Sequence, residues 1–299
     1  MKKIMLATDG SSVAEDAAKF LAHLPHDEKI ELTIVSVLYV PGTQKTYLVG
    51  DWFETCMAQE RKRADEAFAR IQSIFAGANV SLNHIVREGN PGETIILVSQ
   101  EVQPELLVIG ATGQSAIARV LLGSTSDYVA THAPCSVLVV RPNPDRAKTH
   151  RLRVAIGYED NGPAQAALEE FSEFGWAGQT DLRVVSVTYQ LGFYDVPREG
   201  PSTKFVDAAV DQLRKVATDV KGELIHSDHI GEGLIRYITS EDIDLIVVGE
   251  TPRTRLGRIL MGSMTRFVLR HAPCSVWITR NRMIHGIDKH ASHVETATQ

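Results

Sequence analysis

The chain has 299 residues, of which 43% are hydrophobic and 23% charged, with a formal net charge of -6. That length predicts two domains, each large enough to bury its own core, and the composition excludes general disorder. The acidic balance excludes a general nucleic-acid binder, the three cysteines are too few for a disulfide framework, and no apolar run nears the ~20 residues of a membrane span.

Met1-Lys2-Lys3-Ile4 leads straight into an apolar strand pattern ending at Asp9, without a small-residue cleavage site, so the expected compartment is cytoplasmic. Ile4–Thr8 predicts a strand. Ser12-Val13-Ala14-Glu15 has the spacing of a capping box and predicts a helix to about Leu24. Leu32–Val37 is β-rich. A long helical stretch runs from about Phe53 to Phe75, and Val80–Val86 alternates as a strand does. Pro91-Gly92-Glu93 opens a helix to about Glu101. Leu106–Ile109 and Val137–Val140 are continuous apolar strands, with a helix from near Ser124 between them.

The pattern then repeats. His132-Ala133-Pro134-Cys135-Ser136-Val137 recurs 139 residues later as His271-Ala272-Pro273-Cys274-Ser275-Val276, and Leu122-Gly123-Ser124 recurs as Met261-Gly262-Ser263. Val35-Ser36-Val37 recurs at a spacing of 150 as Val185-Ser186-Val187, so the second copy has lost about eleven residues after its second strand. A period this long is a duplicated domain, not a solenoid unit. Its strands are expected near Arg153–Gly157, Leu182–Val187, Glu223–His226, Leu245–Val248 and Val276–Thr279. The chain divides into domain 1 (1–141), a polar linker with two prolines (142–150), domain 2 (151–280) and a tail (281–299) whose lack of apolar periodicity reads as disorder.

Alternating strands and helices imply a parallel sheet covered on both faces. Each copy is predicted to be a doubly wound, Rossmann-like α/β domain of five parallel strands in the order 3-2-1-4-5. Ligands bind such sheets where the winding reverses, beyond the carboxyl ends of strands 1 and 4. In the first copy those ends carry Asp9 and Gly110. Gly110-Ala111-Thr112-Gly113, nine residues, then Gly123-Ser124-Thr125-Ser126 would place glycines at a strand end and small hydroxyl residues on a helix N-terminus, which favours phosphate. The residues alone leave a plainer alternative open: tight turns and helix caps.

This spacing, with His132-Ala133-Pro134-Cys135 and an apolar strand after it, resembles the universal stress protein family and the motif of its ATP-binding branch. The resemblance implies that Asp9 and the Val35 backbone hold the adenine or ribose side. It implies that Gly110 and Gly113 line ribose and phosphates, and that Gly123, Ser124, Thr125 and Ser126 hold phosphates. It implies ATP, with Mg²⁺ carried by the phosphates, and fifth strands that pair across domains or subunits. Val137–Arg141 and Val276–Arg280 are the segments concerned.

The second copy departs from the motif. Pro252 stands where the second glycine should be, and proline has no N–H to donate. Glu250 puts a negative charge beside any phosphate, and Glu159 replaces Asp9. The degenerate second site, formed by Glu159, Val185, Gly249, Pro252, Gly262 and Ser263, is expected to bind nucleotide poorly. Arg253, Arg255, Arg258, Arg266 and Arg270 read as decoration of a helix and its approach, with an anion site as the alternative. Cys135 and Cys274 read as core residues rather than metal ligands. His226 and His229 read as loop residues, and His285, His290 and His293 as part of the tail.

No P-loop lysine, nucleophile elbow or zinc-protease motif is present, so no catalytic residue is expected and hydrolysis would be weak. The expected function is a nucleotide-dependent stress-response switch working through domain 1. Expected partners are an adenine nucleotide, domain 2 packed on domain 1 and an unknown signalling protein. A further homodimer is left open. Neither nucleic acid nor membrane is expected. The rivals are an interaction protein that binds no nucleotide and a slow ATPase.

Overall fold

The computed structural model describes residues 1–24, 28–39, 51–112, 122–141, 151–176, 180–188, 203–250, 253–255 and 258–282. The first half runs β1 (Lys2–Thr8), α1 (Ser12–His23), β2 (Ile30–Tyr39), α2 (Asp51–Ile74), β3 (Val80–Gly89), α3 (Pro91–Val102), β4 (Leu106–Gly110), α4 (Ser124–His132) and β5 (Ser136–Val140). The second runs β6 (Leu152–Gly157), α5 (Gly162–Glu173), β7 (Thr180–Thr188), α6 (Lys204–Leu213), β8 (Val220–His226), α7 (Ile230–Ser240) and β9 (Leu245–Gly249). A hairpin of β10 (Arg253–Arg255) and β11 (Arg258–Leu260) follows, then α8 (Ser263–His271) and β12 (Ser275–Thr279).

All strands but the hairpin join one sheet of ten, ordered β3-β2-β1-β4-β5-β12-β9-β6-β7-β8. Each half therefore has the doubly wound order expected of it, and the two halves are joined by their fifth strands. The β5·β12 pair is antiparallel, with Trp277 opposite Leu138. The pairing takes the within-chain form, so both fifth-strand edges are covered and the sheet ends at β3 and β8.

The period of two along each strand divides the core. Ile4 and Leu6 of β1 face one side, with α1, α2, α5 and α6. Met5 and Ala7 face the other, with α3, α4, α7 and α8. Both layers run unbroken through the two halves. On the first, Phe171, Phe174, Trp176 and Trp277 cluster with ring centroids 4.7–5.9 Å apart. The shortening of the second copy shows in α6, of 10 residues against 24 in α2, and in β8, of 7 against 10 in β3.

Local chemistry corrects one boundary. The cap of α1 is Ser11, not Ser12: Gly10 turns the chain at φ +74°, and the Ser11 hydroxyl accepts from the Ala14 N–H at 3.2 Å. Glu15 is drawn instead to Arg70 of α2. The hairpin β10–β11 has no counterpart in the expected elements.

Candidate functional site

The reversal of winding lies between β1 and β4, which are hydrogen-bonded neighbours. Asp9 and Gly110, about a hundred positions apart in sequence, thus stand at the mouth of one crevice. Asp9 is exposed, and its carboxylate accepts from the Ser11 N–H at 3.0 Å.

Val35 sits inside the ladder. It is fully buried and lies opposite Ala7 of β1. Its counterpart Val185 shows what that costs: the Val185 carbonyl accepts from the Tyr158 N–H at 2.9 Å. Because β1 ends opposite Ser36, the next residue pointing the same way, half-buried Val37, is the first whose backbone lies beyond β1. The end of a strand's partner is not visible in the sequence of the strand itself.

The glycine at 110 has a packing cause. A Cβ there would stand 2.9 Å from Cγ1 of Val13, so α1 occupies the room the missing side chain leaves. Only the backbone of Gly110 remains for a ligand. Its carbonyl accepts from the Ser126 hydroxyl at 2.7 Å, and Ser126 is 3% exposed. That hydroxyl, expected to face phosphates, instead ties α4 to the end of β4. Ser124 is exposed and Thr125 half-buried at the start of α4, which has no side-chain cap. The base of the loop between β4 and α4 is closed by the Gly123 N–H donating to the Ala111 carbonyl at 2.7 Å. Gly113 lies outside the described residues, as does Pro252.

The second crevice is built alike and filled differently. It encloses a cavity of about 170 Å³ lined by Tyr158, Glu159, Val185, Val187, Leu234 and Glu250, among others. Glu159 is exposed and accepts from the Asn161 side chain at 3.0 Å. A Cβ on Gly249 would lie 1.9 Å from the Pro163 carbonyl oxygen, so here too a helix start requires the glycine. Glu250 does not face outward as a loose charge. It is 2% exposed, takes the Gly262 N–H at the start of α8 at 3.0 Å, and pairs with Arg280 at 2.6 Å. Arg280, with a fully buried side chain, also donates to the Ala130, Ala133 and Cys135 carbonyls, where α4 ends and β5 approaches.

The remaining candidates separate from the crevices. Burial pushes the thiols of Cys135 and Cys274 up to about 12, which leaves them un-ionised and unreactive at neutral pH. His226 contacts the Thr188 hydroxyl at 2.5 Å, while the His229 N–H and carbonyl both engage Ser227. Arg270 reaches Asp127 of α4 at 3.4 Å and so joins the two halves. Among the described residues no three His, Cys, Asp or Glu side chains converge as a metal site would need, and no helix is long and apolar enough to cross a membrane. His285, His290 and His293 lie outside the described residues.

Fold and crevices define a tandem, doubly wound α/β protein with one switch-point crevice in each half. The chain belongs to the universal stress protein family, whose family model matches residues 1–141 and 150–280. A universal stress protein of Mycobacterium tuberculosis H37Rv is 26% identical over 282 residues, covering 94% of this chain and 97% of the relative. One from Methanocaldococcus jannaschii is 29% identical over 140 residues, 47% of this chain and 82% of its own. Among solved structures, a universal stress protein from Archaeoglobus fulgidus superposes with a TM-score of 0.68 at 16% identity, covering 93% of this chain and 98% of its own. Identity that low speaks to the fold alone.

Proposed function

We propose that this protein is an ATP-binding universal stress protein, in which domain 1 takes the nucleotide and domain 2 supports it. The observation that carries this reading is the difference between two equivalent helix starts. At the start of α8 the N–H of the cap residue Gly262 is taken by an anion, the Glu250 carboxylate. At the start of α4 the matching Gly123 N–H meets only the Ala111 backbone carbonyl, and no carboxylate stands in the position of Glu250, which is Ala111. A helix N-terminus attracts negative charge by roughly 0.3–1 kcal/mol per group, and up to ~2 when partly buried.

In this reading the N–H groups and hydroxyls of Ser124 and Thr125 hold phosphate oxygens, with the backbone of Gly110, Gly113, Gly123 and Ser126 around them. Asp9 and the backbone of Val37, which replaces Val35, hold the nucleoside side. Mg²⁺ travels with the phosphates. Occupancy orders the segment between β4 and α4 and changes a surface that a signalling partner reads. Free buried thiols suit a reducing, cytoplasmic setting.

Titration calorimetry with ATP and Mg²⁺ tests this, on the nucleotide-free protein and on Gly113→Pro, which copies position 252. One ATP per chain, lost in the variant, is expected. No heat with the unsubstituted protein would sink the reading and leave an interaction protein whose glycines serve packing.

A further inference from the structure

The two halves differ at a buried charge beside the ends of their fourth and fifth strands. Shifting by 139 residues carries Arg141 onto Arg280, Ala111 onto Glu250, Gly123 onto Gly262 and Ala130 onto Leu269. The geometry follows the same relation. Nη2 of Arg280 donates to the Ala130 carbonyl in the last turns of α4, and Nη2 of Arg141 donates to the Leu269 carbonyl of α8 at 2.6 Å. The N–H of Ala111 donates to the Val140 carbonyl at 2.9 Å, and that of Glu250 to the Thr279 carbonyl at 3.1 Å. Each arginine thus crosses from its own fifth strand to the opposite helix, and the Nε of Arg280 faces position 250, whose counterpart in the first half is position 111.

There the likeness stops. Nε of Arg280 meets the Glu250 carboxylate at 2.8 Å. Arg141 is 5% exposed, and its Nε and Nη1 have no partner among the described residues. A buried guanidinium with donors left over and no counter-ion is unfavourable, so a protein that keeps one has a use for it or supplies its anion from outside. Burial pushes the Arg141 pKa below the ordinary arginine value, as befits a cation without a counter-ion.

We propose that Arg141 is the cationic wall of the phosphate seat of domain 1, its Nε taking an oxygen of a phosphorylated ligand where domain 2 carries its own anion, Glu250. The inference rests on the reading of domain 1 as the nucleotide domain and adds a residue that the glycine motif does not contain. It makes phosphate, rather than the nucleoside, the part of the ligand that Arg141 recognises. It also gives the degenerate motif of domain 2 a physical content: Glu250 occupies the seat from within. Because Arg141 also closes the end of α8, a phosphate bound to it touches both domains through one side chain.

The test compares ATP with adenosine by calorimetry on the full chain, for the unsubstituted protein, Arg141→Gln and Ala111→Glu. Arg141→Gln is expected to weaken ATP about 30-fold, the effect of losing a charge-assisted hydrogen bond, while adenosine changes by less than about twofold. Ala111→Glu, which keeps Arg141 and gives it the carboxylate that Arg280 has, is expected to weaken ATP at least as much and to raise Tm. It decides the matter if Arg141→Gln does not fold. An unchanged ATP-to-adenosine ratio in Arg141→Gln, or an Ala111→Glu protein that binds ATP normally or melts earlier, overturns the role of Arg141 and leaves the nucleotide reading standing. An unsubstituted protein that binds neither compound overturns both.

Discussion

Glu170 of α5 is a buried acid at the seam of the two halves. It is 1% exposed, accepts from the Asn281 N–H at 3.1 Å, and is hydrogen-bonded to Ser136 at the start of β5. Burial raises its pKa from 4.5 to about 7, and the hydrogen bonds from Ser136 and Asn281 offset only part of that. A carboxyl whose pKa is raised on folding binds its proton more tightly in the folded chain. Its contribution is therefore favourable below the unfolded value of 4.5 and is lost as pH rises through about 7. Glu170→Gln, which removes the ionisation, should flatten the dependence of Tm on pH between those values and raise Tm at pH 8 by a few degrees. Parallel Tm-versus-pH curves for the two proteins would contradict this. Ser126 teaches a second lesson at this scale. A hydroxyl in the first turn of a helix is a phosphate donor only if nothing nearer claims it, and here the Gly110 carbonyl does.

Among the elements, the β5·β12 pair matters most. Each strand is five residues long and fully buried. A short strand adds little by its own backbone bonds, so the seam depends on what its side chains cover. Ser136 and Ser275 bind its two ends, accepting from the N–H groups of Arg280 at 2.8 Å and Arg141 at 3.1 Å. Trp277 stands at the centre, with Trp176 at 4.7 Å and Phe174 at 5.1 Å between ring centroids. Trp277→Ala should cost about 3–5 kcal/mol, as removal of a large core aromatic does. In urea its midpoint should fall with the slope unchanged. A cost under about 1 kcal/mol would mean that the cluster repacks and the seam is held elsewhere.

At the scale of the molecule, both hydrophobic layers pass through the seam without a gap. A core shared in this way should melt as one unit despite the duplicated sequence. Calorimetry is expected to show a single transition whose van't Hoff and calorimetric enthalpies agree. Two resolved transitions would make the halves independent domains and the seam a mere contact. The same continuity makes a crevice in one half sensitive to the other, since Arg141 and Arg280 each tie their own fifth strand to the opposite helix.

The sequence by itself determined the repeat, the doubly wound order and the crevice position. Strand and helix periods, the spacing of 139 and the right-handed crossover are local or topological constraints, and they leave few arrangements. Sequence reading also found that domain 2 had changed at Glu250 and Pro252. It missed what Glu250 does, because a charge in a loop reads as exposed until its partner is known. That partner, Arg280, stands 30 residues away and is brought beside it by strand pairing. The same applies to Ser11, selected as the cap by a turn at Gly10. Tertiary structure alone decided that the fifth strands pair within the chain. It alone left Arg141 buried without the carboxylate that its twin possesses, because hydrogen-bond satisfaction depends on which groups folding brings together.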